Sequence, residues 1–259
     1  PLRWGAISFG LAELDGWLGG GLPRGALHEV FAASQADVAA ATGFAALLAL
    51  RGARGRRMLW VRQDFLDRPT GRLHPPGLAA LGLNPALVVL VRAGDVAGVL
   101  RAAGEAARCG GLGAVLVEPW GEAPQIDHTA GRRLSLAAAE SGVPVLMLRV
   151  AATPAASVAA SRWLVAALPS RPLPANAPGP PAFAARLLRH RGGAAGASWN
   201  LEWDHDRHCF QTYNVHGLRA PSGADEFRAP DGVDAFRAPD GATPLPRTVV
   251  SVPAGRAAG

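Results

Sequence analysis

Between Leu27 and Val150 the chain returns five times to a short apolar run: Leu27–Phe31 (LHEVF), Met58–Arg62 (MLWVR), Ala86–Val91 (ALVVLV), Ala114–Glu118 (AVLVE) and Val143–Val150 (VPVLMLRV). The segments between them carry apolar residues at helical spacing. Ala36–Leu50 points Phe44, Leu47 and Leu48 to one side; Gly77–Leu83 is a short helix; Asp95–Cys109 has Asp95 near its cap and Val96, Val99, Leu100 and Ala103 on one stripe; Thr129–Ser141 follows the fourth run. Strands that alternate with helices in this way fold as a doubly wound, mostly parallel α/β sheet flanked by helices. The unbroken run Ala86–Val91 reads as a strand buried on both faces. Val158–Leu168 reads as a further strand, with an antiparallel orientation expected, ended by Pro169.

The loop after the first strand decides the chemistry. Strand, loop, helix is where G-x-x-x-x-G-K-[ST] cradles phosphates. Here the two glycine positions are Ala32 and Asp37, the lysine position is Val38 and the hydroxyl position is Ala39. Side chains at Ala32 and Asp37 stand where backbone N–H groups should close on phosphate oxygens, and Asp37 adds a negative charge beside an anion. Val38 cannot neutralise phosphates, and Ala39 offers magnesium no hydroxyl. All 26 basic residues are arginine, so no lysine elsewhere can substitute.

The stretch Ile7–Phe31 runs I-S-x-G, then L-D, then a Gly-rich L-G-G-G-L-P-x-G, then an apolar strand. It resembles the opening of the RecA recombinase core. The order downstream agrees: Met58–Arg62 is similar to the second core strand, Ala114–Glu118 to the Walker B strand, and Val143–Arg149 to the strand after it, so the likeness covers roughly Ile7–Pro169. By that resemblance the catalytic glutamate position falls near Gln63, an amide that cannot act as a base on water. The Walker B position is Glu118, a carboxylate left without a phosphate loop. Where RecA carries a long mobile DNA-binding loop, only Val150–Ser157 separate Arg149 from the next regular segment. With those departures, and with EVFA after the first strand and RLLRHRGGAAGASWNLEWD at Arg186–Asp204, the chain is most similar to the ImuA family of SOS mutagenesis accessory proteins. SulA-type septation inhibitors are the competing RecA-like family without a nucleotide site.

Leu11, Leu14, Trp17 and Leu18 repeat at helical spacing ahead of the Gly19-Gly20-Gly21 turn and are expected on the sheet edge. Cys109 and Cys209 are too few for a disulfide framework and too far apart for a zinc knuckle. The formal charge is 26 − 20 = +6. That balance permits non-specific nucleic-acid binding but more simply reflects the arginine, alanine, glycine and proline bias of a GC-rich genome. No apolar run is expected to reach the roughly 18 residues of a membrane span.

Four parts are expected: a core over 1–169, a Pro-rich linker at 170–181, a basic helix plus Trp hairpin over 182–216, and a flexible low-complexity tail over 217–259. The helix is placed at Phe183–Arg191. Ser198–Asp204 alternates, with Trp199, Leu201 and Trp203 on one face and Asn200, Glu202 and Asp204 on the other, and turns back into Cys209–Tyr213. FRAPDG occurs twice in the tail, at Phe227 and Phe236, among residues too polar to build a core.

Arg186, Arg189 and Arg191 are candidate partner contacts, or else a solvated helix face. Trp199 and Trp203 are candidate interface anchors, or else cover the edge of the core. His205 and His208 beside Asp204 and Asp206 read as a hairpin turn rather than a metal site.

The resemblance implies a non-catalytic adaptor of SOS-induced translesion synthesis, with no cofactor and no metal. Its partners would be the inactive Y-family-like (ImuB-like) polymerase subunit of the same cassette, RecA, and an error-prone replicative-type polymerase. DNA would be touched indirectly or weakly and a membrane not at all. The location implied is cytoplasmic, on the nucleoid after DNA damage. A septation inhibitor and a RecA-like ATPase with an unusual loop, using Glu118 on magnesium, are the alternatives.

Overall fold

The computed structural model describes residues 3–193 and 195–214. The FRAPDG repeats and the rest of the expected tail lie outside them. In chain order the elements are β1 (Ala6–Ile7), α1 (Ala12–Trp17), β2 (Leu22–Pro23), β3 (Leu27–Ala32), α2 (Val38–Ala53), β4 (Met58–Gln63), α3 (Pro75–Ala80), β5 (Val88–Ala93), α4 (Val96–Arg108), β6 (Ala114–Glu118), α5 (His128–Ser141), β7 (Val145–Arg149), β8 (Ser161–Leu168), β9 (Ala182–His190), β10 (Ser198–Asp204) and β11 (Cys209–Thr212).

Nine strands form one sheet in the order β11-β10-β9-β8-β3-β7-β6-β4-β5, and a small β1-β2 pair stands apart. Strands β3 to β8 pair in parallel, as the alternation of elements requires. β9, β10 and β11 add to β8 antiparallel. β8 is therefore parallel to β3 on one side, where an antiparallel strand was expected, and antiparallel only to β9.

Each face of the sheet has its own core. On one, α2 lays Phe44, Leu47 and Leu48 against Trp60, Leu116, Leu148 and Trp163, and the cluster runs on through Phe183, Leu201, Trp203 and Phe210. On the other, Val99 and Ala103 of α4 and Leu134 and Ala138 of α5 cover Val61, Val117, Val145 and Met147. Asp95 caps α4 by accepting from Gly98 N at 2.6 Å, and Asp127 does the same for α5 from Ala130 N at 2.7 Å.

Three expectations are corrected by this packing. Phe183–Arg191 is not a basic helix: it is β9, held on both edges by β8 and β10. Ala, Leu and Arg favour helix locally, and cross-strand burial of Phe183, Ala185 and Leu187 overrides that preference. β5 is not doubly buried but is the outer edge of the sheet, with Val89 and Leu90 about 40% exposed. Finally, the helical stretch Gln35–Ala53 does have the length and hydropathy of a membrane span, against expectation. Phe44 to Ala49 are wholly buried within the core, which accounts for its apolar character. Near the N-terminus Leu14 and Leu18 are buried as expected, while Trp17 remains about half exposed.

Candidate functional site

Arg62 of β4, Glu118 of β6, the end of β8 at Ala167 and Leu168 and the start of α2 border a cleft of about 620 Å³, beside the turn where a phosphate loop would sit. β3 ends at Ala32, a turn carries Ala33 to Asp37, and α2 begins at Val38. This loop is fastened to β8 rather than held open. Ala33 N donates to Val165 O at 2.8 Å, and Asp37 Oδ1 accepts from Ala167 N at 2.8 Å while Oδ2 accepts from Ser34 Oγ at 2.6 Å. The carboxylate at the second glycine position thus takes a backbone N–H for itself. Val38 is half-buried against the core and Ala39 is exposed at the rim.

Glu118 ends β6 with no exposed surface. Its Oε2 accepts from Trp60 Nε1 at 3.0 Å and its Oε1 from Arg62 Nη2 at 3.3 Å, both donors coming from β4 next door. Arg62 Nε approaches Oε2 at 3.1 Å, close enough for an ion pair though outside hydrogen-bond geometry. The rest of the guanidinium is also engaged: Nη2 donates to Thr70 Oγ1 at 2.7 Å, and Nη1 to Gly71 O at 3.3 Å and to Asp67 Oδ1 at 3.5 Å. Asp67 in turn holds Arg92 at 2.6 Å and Arg72 at 3.5 Å. Burial pushes the Glu118 carboxyl above its ordinary value, and the Arg62 charge and the Trp60 bond oppose that rise. Both carboxylate oxygens are thus engaged by donors from β4.

Gln63, at the end of β4, turns its Oε1 to Trp120 N at 2.8 Å. The side chain is a tether between β4 and the loop after β6. Beyond β7 the short segment is tied down as well. Thr153 N and Oγ1 both donate to Glu122 at 2.5 Å, and Ser157 Oγ donates to Glu29 at 2.6 Å.

The C-terminal candidates divide. Trp203 is wholly buried in the core, with Nε1 donating to Leu81 O at 3.1 Å, so it covers the sheet rather than anchoring a partner. Trp199 is half-buried and meets Trp17 edge-on at 6.1 Å and Trp163 at 6.0 Å. Arg189 donates to Ser157 O at 2.8 Å and Arg191 to Val158 O at 2.5 Å, bracing the segment before β8. Arg186 is half-buried on β9. No helix exists to gather the three on one face. In the hairpin turn Asp204 caps the N–H groups of Asp206 and Arg207, both at 3.0 Å, and His208 lies parallel to Trp203.

Sequence reasoning did not anticipate Arg62 as the partner of Glu118. Its signal is an arginine alternating into a buried strand, one residue before Gln63 and directly opposite Glu118 in the β4–β6 register.

No family model matches the chain. Two curated proteins described as Protein ImuA, from Caulobacter vibrioides strains NA1000 / CB15N and ATCC 19089 / CIP 103742 / CB 15, are each 36% identical to it over 212 residues, 76% of this chain and 82% of the relative. Among solved structures the RadB recombinase is similar, with a TM-score of 0.53 at 17% identity, covering 80% of this chain and 100% of that one. That second likeness shows a RecA-like fold.

Proposed function

The chain belongs to the ImuA family, and from that membership we propose that it works as a non-catalytic RecA-like adaptor in SOS-induced translesion DNA synthesis. It acts through protein surfaces, linking RecA, the inactive Y-family-like polymerase subunit and an error-prone replicative-type polymerase at damaged DNA.

One observation carries the reading. Glu118, the carboxylate that would meet nucleotide-bound magnesium, is sealed against Arg62 and Trp60. The changes around it point the same way: Asp37 is spent on β8, Gln63 on Trp120, and the lysine position is Val38. A sheet that keeps both of its hydrophobic faces while its phosphate chemistry is filled in is maintained for its surfaces.

Isothermal titration of the full chain with ATP and magnesium tests the first half of the proposal. No binding heat is expected, and micromolar affinity would overturn it. Co-purification with the polymerase subunit of the same cassette tests the second half. A chain that elutes alone at every salt concentration would count against the adaptor role whatever the ATP result.

A further inference from the structure

At the opposite end of the sheet from that cleft, a second pocket of about 600 Å³ opens between the end of α2, the segment leading into β5 and the β10–β11 turn. Its charge is one-sided. Arg51, Arg54, Arg56 and Arg207 line it, and none of the lining residues is acidic. In the cleft, by contrast, the Arg62 guanidinium is matched by Glu118 and Asp67.

The arginines differ in how far they are spent. Arg51 donates to Ser8 O and His208 O and is held in place by them. Arg54 gives one bond, to Ala6 O at 3.1 Å, and Arg56 one, to Gly110 O at 3.0 Å. Both are exposed, and among the described residues neither has a carboxylate within ion-pair distance. A guanidinium has five N–H donors, so most of each fork points to open space. Arg207 reaches Asp204 only at 3.8 Å and is 80% exposed.

Capping of α2 does not account for this concentration. The C-terminal carbonyls of α2 attract cations, but Gly52 O is already served by the buried Arg24 Nη1. Arg24 also records the local field: burial first, then the charges of Arg54 and Arg56, bring its pKa down to about 10. Arg54 and Arg56 are therefore surplus to the capping of α2 and stand exposed beside one another.

We propose that this pocket binds the phosphodiester backbone of a single-stranded nucleic acid, with Arg54 and Arg56 as phosphate ligands on one wall and Arg207 on the other. Two features favour that ligand over a phosphorylated peptide. Cations on separate elements suit a polymer that brings a phosphate with every unit. The floor between them is aliphatic, made by Leu50, Met58, Leu83 and Leu87, and suits a sugar or base face. A pocket of this volume takes a nucleotide, not the width of a duplex. The site is separate from the cleft, so it stands or falls independently of the adaptor reading.

The test is fluorescence anisotropy of the full chain with a labelled oligothymidylate, repeated across a salt series. Each phosphate neutralised on a single strand adds about 0.7 to the slope of log affinity against log salt. The double variant R54Q/R56Q should lower that slope by roughly 1.4 and weaken binding at low salt about tenfold or more. R132Q/R133Q, two exposed arginines of α5, should leave both unchanged. Because Arg54 ends α2 in a left-handed conformation, R207Q alone serves as a second variant and should lower the slope by about 0.7. Four results would each overturn the proposal: no binding by the unaltered chain, an unchanged slope in the pocket variants, an equal loss in the α5 control, or stronger binding of duplex DNA or of a phosphorylated acidic peptide.

Discussion

Arg62 Nε stands 3.1 Å from Glu118 Oε2, and the two side chains are 2% and 0% exposed. A pair this deep costs desolvation energy that its attraction roughly offsets, but removing one partner strands the other. Arg62→Ala should lower stability by about 3–5 kcal/mol in urea unfolding. The apolar pair R62M/E118L should recover most of that loss. If R62A and the double variant were equally unstable, the ion pair would not be what holds this corner.

Asp37 holds the loop closed through Ala167 N and Ser34 Oγ. Asp37→Ala removes both acceptors and should cost about 1–2 kcal/mol at two hydrogen bonds, the main-chain donor being partly open to water. Restoring the missing cation with Val38→Lys should not create ATP binding, because Glu118 stays engaged with Arg62. Titration calorimetry on the Val38→Lys variant reads this directly.

Trp203 and Trp199 sit on the same strand with different burial. Trp203→Ala should destabilise by about 3–5 kcal/mol, the range for a large aromatic removed from a core. Trp199→Ala, which loses mainly its ring contacts with Trp17 and Trp163, should cost about 1–2 kcal/mol. Thermal melts that ranked the two in the opposite order would contradict the packing.

His28 is fully buried between Ser161 Oγ and Pro23 O, each at 2.8 Å. Trp163 Nε1 donates to Ser161 Oγ at 3.0 Å, which leaves the hydroxyl proton for His28 Nδ1 and the ring's own proton, on Nε2, for Pro23 O. Burial lowers the His28 pKa from 6.5 to about 4. Between those values the unfolded chain binds a proton that the folded chain refuses, so stability rises with pH across the window. The contribution is complete above pH 6.5, falls away as the pH drops towards 4, and amounts to roughly 3 kcal/mol. His28→Gln should flatten that acid limb in urea midpoints measured across the window.

The parallel half of the sheet is legible because its strands are short apolar runs between helices that carry their own caps, such as Asp95 on α4. The Trp hairpin is legible from strict alternation. β9 is not, since AFAARLLRH has helical propensity and becomes a strand only between two neighbours that the local sequence does not announce. β5 misleads for a different reason. Its composition suits burial, and its place at the margin of the sheet is a matter of topology. At the cleft, the residues that break the phosphate loop can be read one by one, whereas the contacts that replace its function, Arg62 to Glu118 and Asp37 to Ala167, span 56 and 130 positions in the chain.

The hairpin strands share a core with α2: Phe44 touches Phe183 and Phe210, and Phe9 touches Phe210. Trimming the chain after the parallel strands would therefore bare an aromatic seam to water and leave β8 with a raw margin. The smallest fragment worth expressing reaches Tyr213, whose hydroxyl donates to Pro169 O at 2.5 Å and latches the last strand across the Pro-rich crossing.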